Sequence, residues 1–143
     1  MLCPFCSHEE TKVLESRLVD KAVRRRRECL DCSARFTTYE KAIFNFTVIK
    51  KDSREQPFQL EKIKNSILRA CGKIEEEPLQ KLTRTIEQKI LAKKTNLIKT
   101  TDIGKIVLRE LRKFDKIAYL RFATIHKELE DPKLVEKELH LIA

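Results

Sequence analysis

Two cysteine pairs, Cys3-Pro-Phe-Cys6 and Cys29-Leu-Asp-Cys32, constrain this chain more than any other feature. Each is a C-x-x-C turn, whose two sulfurs can bind one tetrahedral ion; two such turns close a four-thiolate shell with no open position. A closed shell is structural rather than catalytic. The 22 residues between the pairs leave room for one hairpin and its turn. One structural Zn2+ per chain is expected at Cys3, Cys6, Cys29 and Cys32, with iron the rival for an all-thiolate site. A redox dithiol fits less well, because one C-x-x-C suffices for that work. The region around the pairs is poor in large apolar side chains, so burial alone cannot hold it. A structural zinc contributes about 10–16 kcal/mol, and the metal-free module is expected to unfold.

Between the pairs lies Arg24-Arg25-Arg26-Arg27. Lys12–Leu18 and Val23–Cys29 read as strands joined by a turn near 19–22, with a third strand at Arg35–Tyr39. Side chains alternate along a strand, so Arg24 and Arg26 point to one face and Arg25 and Arg27 to the other. One pair can offer its guanidinium forks to phosphate or a guanine edge; the other can pair with Glu15 or a second backbone segment. Four consecutive arginines repel one another, which argues for nucleic-acid contact over a merely solvated run. Residues 1–45 hold nine Lys and Arg against seven Asp and Glu. Four thiolates with one Zn2+ subtract two more charges, so the basic character is local to the arginine strand.

The whole chain of 143 residues has a formal net charge of +9, which suits a polyanionic partner. Its opening MLCPFC lacks a signal-peptide pattern, and no apolar run could span a bilayer. A cytoplasmic chain with reduced thiols and no membrane partner is expected. Only two glycines occur, Gly72 and Gly104, too few for a P-loop or a dinucleotide fingerprint. Any nucleotide site must use side chains and ordinary backbone.

After Glu40 the pattern changes. Ile43–Lys51 alternates as a strand, and Glu55–Phe58 can return beside it after a turn at Asp52-Ser53-Arg54. Four amphipathic helices follow: one on Leu60, Ile63, Ile67 and Leu68; one opening at Pro78; one capped by Thr101 or Asp102; and one capped by Asp115, with Ala118, Phe122, Ile125 and Leu129 inward. The fold expected is α+β: a small four-cysteine zinc ribbon, then a β-hairpin with a four-helix bundle. Lys50, Lys51 and Lys62 gather at the hairpin and first helix, where they could neutralise a triphosphate, although solvated lysines are the commoner case. Cys71 reads as a core thiol, His126 and His140 as lone histidines. No catalytic constellation is visible, so an enzyme is not expected.

At these residues the chain resembles the NrdR family, zinc-ribbon and ATP-cone repressors of ribonucleotide reductase genes. The likeness runs from Met1 to about Asp131. It rests on CPFC, ESR (Glu15–Arg17), RRRREC (Arg24–Cys29), Cys32, RFTTYEKA (Arg35–Ala42), VIKKD (Val48–Asp52), Pro57-Phe58, Lys62-Ile63 and YLRFA (Tyr119–Ala123). It implies a zinc-ribbon DNA-binding domain over 1–45, an ATP-cone nucleotide-binding and oligomerisation domain over 46–132, and a helix or tail over 133–143. Arg17, Arg24, Arg25, Arg26, Arg27 and Arg35 would contact double-stranded DNA at operator boxes upstream of reductase genes, at the nucleoid. Val48, Lys50, Lys51, Gln56 and Lys62 would line ATP or dATP, the lysines on phosphates, and Tyr119 would flank that site or an oligomer contact. Binding would change the state of a homo-oligomer. The chain departs from the family in six places. Lys50-Lys51-Asp52-Ser53 stands for the usual KRDG. Gln56 and Gln59 replace acids, and His126 replaces an aromatic. Glycines usual after Cys32 and in the first hairpin turn are missing. The alternative from another class is a zinc-ribbon RNA-binding or translation-associated factor, separable by its preference for RNA over duplex DNA.

Overall fold

The computed structural model describes all residues, 1–143, and divides them into two units, Met1–Phe44 and Asn45–Ala143. The first unit is a three-stranded antiparallel sheet with β2 (Ala22–Cys29) between β1 (Thr11–Val19) and β3 (Arg35–Glu40). Asp20 and Lys21, at φ 46° and 65°, form the tight β1–β2 turn that two left-handed residues allow. A bulge between Val13 and Glu15 shifts the register, so that Lys12, Glu15 and Arg17 face Glu28, Arg26 and Arg24 in turn. Without that extra residue Lys12 and Glu15 would point to opposite faces. Only Cys3, Ala22 and Cys29 are buried here, which leaves cohesion to the cysteine cluster.

The second unit carries the hydrophobic core. β4 (Thr47–Ile49) runs antiparallel to β5 (Glu55–Pro57) and parallel to β6 (Leu97–Lys99). The expected hairpin is thus the start of a three-stranded sheet. The expected long strand from Ile43 is cut short: residues 41–46 are not strand, and Ile43 and Phe44 are largely exposed. Five helices follow or flank the sheet: α1 (Leu60–Cys71), α2 (Glu76–Leu91), α3 (Thr100–Phe114), α4 (Lys116–His126) and α5 (Pro132–Ile142). The four expected helices are α1–α4, and 132–142 adds a fifth rather than a tail. Ile63, Ile67, Leu79, Ile86, Ile90, Val107 and Leu111 recur at helical spacing and meet in the core with Ala118 and Ala123.

Helix ends follow local chemistry. The Asp115 side chain accepts from the Ile117 N–H, and Asp131 from the Lys133 N–H just ahead of α5, whose first residue is Pro132. Gly72, at φ 71°, ends α1 and donates its N–H to the Leu68 carbonyl. α3 differs from expectation: neither Thr101 nor Asp102 caps it. It begins at Thr100, whose hydroxyl donates to the Ile49 carbonyl at 3.1 Å and so ties the helix to β4. Ile125, expected inward, is 80% exposed.

Candidate metal centre, arginine face and nucleotide cavity

The four cysteine sulfurs all lie within 4.8 Å of one another. Each pair sits in the same local frame. The Phe5 N–H donates to Cys3 Sγ and the Asp31 N–H to Cys29 Sγ, each at 3.4 Å. Ser7 and Ser33 follow the pairs at φ 63° and 57°, so the turn that glycine favours after Cys32 is made here by serine. The thiols do not titrate alike. Burial pushes Cys3 up, but the Cys6 and Phe5 backbone N–H groups and the neighbouring thiols outweigh it and hold it at about 7. The His8 N–H draws Cys6 down, yet burial and the three nearby sulfurs push it up to about 12. One thiolate therefore disfavours the next, and a bound cation would let all four ionise together near neutral pH. The donor set, its spacing and this charge frustration fit a structural zinc ion.

The sheet register sorts the arginines. Arg25 and Arg27 are held within the sheet. Arg27 donates to Thr38 and Thr11 hydroxyls at 3.2 and 3.3 Å, and Arg25 pairs with Glu40 at 3.2 Å. Arg24 and Arg26 make no hydrogen bond or ion pair. They share their face with Lys12, Arg17 and Arg35, against only Glu15 and Glu28 as acids. Glu15 pairs with Arg17. Glu28 takes Arg35 at 2.8 Å and Lys12 at 3.0 Å, and these two cations hold its carboxyl below the usual range. Exposed Tyr39 stands directly across from Arg24.

In the second unit a cavity of about 200 Å³ opens between the hairpin and helices α1, α3 and α4. Val48, Lys50, Gln56 and Lys62 all line it. β4 supplies Val48 and leads into Lys50; Gln56 pairs with Val48 across β5; Lys62 sits in the first turn of α1 and donates to Gln56 Oε1 at 3.4 Å. The apolar wall is Phe58, Ile63, Ile103, Val107 and Phe122. A mostly apolar cleft with cations at its rim suits a base in the cleft and phosphates at its mouth.

Two expected residues are elsewhere. Lys51 turns to Glu128, at 2.9 Å, and lines a second hollow with Lys50, Lys99 and Thr100. Tyr119 is buried, and its hydroxyl donates to Glu138 of α5, which also accepts from Lys127 at 2.6 Å. Tyr119 thus docks α5 rather than lining the cavity.

Other lining residues escaped the sequence reading. His126 stacks on Phe122, with ring centroids 5.7 Å apart and planes at 27°, and both line the cavity. A Cβ at Gly104 would overlap the imidazole, so glycine in mid-helix makes its seat. The available signals were the i, i+4 spacing of Phe122 and His126 and a glycine inside a helical pattern.

No helix is long and apolar enough to cross a membrane. Residues 1–40 match the family model for the N-terminal domain of NrdR-like transcriptional repressors, and residues 46–132 match that of the ATP cone domain. The ligand class of the second unit is therefore an adenine nucleotide, acting as a regulator. Curated relatives named "Transcriptional repressor NrdR" include one from Corynebacterium glutamicum, 39% identical over 99% of this chain and 96% of its own length. Another, from Finegoldia magna, is 38% identical over 97% and 96%. A third, from Variovorax paradoxus, is 44% identical over 92% of each. With a four-thiolate ribbon, a lysine-rimmed cone and this likeness along nearly its whole length, the chain belongs to the NrdR family of transcriptional repressors.

Proposed function

We propose that this repressor silences ribonucleotide reductase genes and reads the adenine nucleotide pool to do so. Residues 1–45 dock on operator boxes in double-stranded DNA; residues 46–132 bind ATP or dATP and reset a homo-oligomer; residues 133–143 belong to the packing of that second part. Such a protein works in the cytoplasm, at the nucleoid. The observation that carries the reading is the open arginine face: Arg24 and Arg26 lack partners on a sheet pinned by the cysteine cluster, with Arg17 and Arg35 beside them. Unpaired guanidinium groups carried on a fixed sheet are suited to phosphate and base edges. Relatives named as repressors favour a regulator over an enzyme. Zinc thus serves the interface indirectly, by holding a sheet too small to fold alone. A single ribbon offers few base contacts, so several chains on spaced boxes supply the specificity.

The test titrates the zinc-loaded chain against duplex DNA from upstream of the organism's reductase genes and against a scrambled duplex. Salt is fixed, and runs are made without nucleotide, with ATP, and with dATP plus ATP. Preference for the native duplex that changes with nucleotide is expected, and Lys62→Ala should erase the nucleotide dependence while keeping zinc content. Equal binding to both duplexes in every state would defeat the proposal, and stronger binding to RNA would replace it with the translation-associated alternative.

A further inference from the structure

His126 stands out in the cavity. Its ring is seated over Gly104 and stacked on Phe122, yet neither imidazole nitrogen has a hydrogen-bond partner within the protein. Neither is sealed from the cavity: the one buried side-chain polar atom without a partner is Arg25 Nε, in the other unit. A half-buried ring held by stacking on one side and by a glycine seat on another, with both polar atoms unspent, is built to meet something that enters the cavity.

The surroundings narrow what that is. Lys50 and Lys62 at the rim already supply cations for phosphate. Burial lowers the pKa of His126, and the charges of Lys51 and Lys127 lower it further, so the ring is neutral near neutral pH. A neutral imidazole offers one N–H donor and one bare nitrogen, the complement of hydroxyls and base edges.

We propose that His126 is a specificity-determining residue of the cavity, hydrogen-bonding the uncharged nucleoside half of the ligand while Lys50 and Lys62 hold its phosphates. This rests on the cavity being the nucleotide site. Gly104 is then a positioning residue, since any side chain there would push the imidazole off its seat.

Calorimetric titration of the zinc-loaded full chain with ATP, dATP and inorganic tripolyphosphate tests it. His126→Phe keeps the ring and the stack but removes both nitrogens. It should weaken nucleotide binding about five- to tenfold, the equivalent of one good hydrogen bond, and leave tripolyphosphate unchanged. An equal loss for ATP and dATP would assign the contact to the base or the 3′-hydroxyl; a loss confined to ATP would assign it to the 2′-hydroxyl. Gly104→Ala should reproduce the loss, and His126→Gln, which keeps a donor and an acceptor, should retain more affinity than His126→Phe. A loss shared with tripolyphosphate would make His126 a phosphate ligand and overturn the proposal, as would unchanged affinity for all three. Failure of the cavity itself looks different: Lys62→Ala would then also leave all three affinities untouched.

Discussion

The two faces of the ribbon make opposite demands on paired substitutions. Arg24 and Arg26 are unpaired, so replacing both with alanine removes two cations without breaking an internal contact. If both touch phosphate, the slope of log K against log salt should fall in magnitude by about 1.8, at about 0.9 per contact. A fourfold rise in salt would then weaken binding about twelvefold less than in the parent chain. Arg25→Ala with Arg27→Ala should keep the slope. It should instead lower stability by about 1–2 kcal/mol, through two hydroxyl hydrogen bonds from Arg27 and one weak, solvent-screened pair between Arg25 and Glu40. Fluorescence anisotropy on the operator duplex over a salt series reads the first quantity, and thermal unfolding of the zinc-loaded chain the second. A flattened slope in the Arg25/Arg27 variant, with none in the Arg24/Arg26 variant, would show that the faces have been assigned the wrong way round.

Two other perturbations separate the units. Chelation, or Cys6→Ser, should abolish DNA binding and unfold the first unit while the helical far-ultraviolet signal persists, because every helix lies within Leu60–Ile142. Collapse of the helical signal together with the metal would contradict this. Burial disfavours the charge on Glu138, but Lys127 and Tyr119 outweigh it and hold the carboxyl below its usual range. A depressed carboxylate lends stability that is complete above its unfolded pKa of about 4.3 and is lost as pH falls through the lower folded value. Glu138→Gln should therefore cost about 1–3 kcal/mol near neutrality and flatten the acid limb of a stability–pH curve; an unaltered limb would remove the Tyr119–Glu138–Lys127 cluster from the account.

The ribbon was legible because its signals are local. Two C-x-x-C turns and an alternating arginine run mark strands whose partners lie within a few residues. The second unit was legible where periodicity is long, as in α1–α4, and obscure where structure depends on distant partners. Ile43–Phe46 alternates like a strand, but the strand register of β5 and β6 covers only Thr47–Ile49, so the ladder does not extend back along the alternation. β6 is three residues long, below what any periodicity can announce. Gathering Val48, Lys50, Gln56 and Lys62 needed only the hairpin and the next helix. His126 needed the α3–α4 packing, and Tyr119 needed α5 to reveal that its hydroxyl had already found Glu138.

The parallel pairing of β4 with β6 joins Val48 to Ile98, and the Thr100 hydroxyl adds a link to Ile49. Between them lie two whole helices. Closing a loop of that length costs about 3.5 kcal/mol of chain entropy, more than two three-residue strands can return by themselves. The β4–β6 pairing is therefore expected to form late on the folding path, after α1 and α2 have packed. The cavity also draws Ile103 and Val107 from α3 and Phe122 from α4, so it is complete only once these helices have packed on the hairpin. Nucleotide should accordingly protect the slowest-exchanging amides, those that open only when the whole unit unfolds, and not merely the fraying ones at the rim.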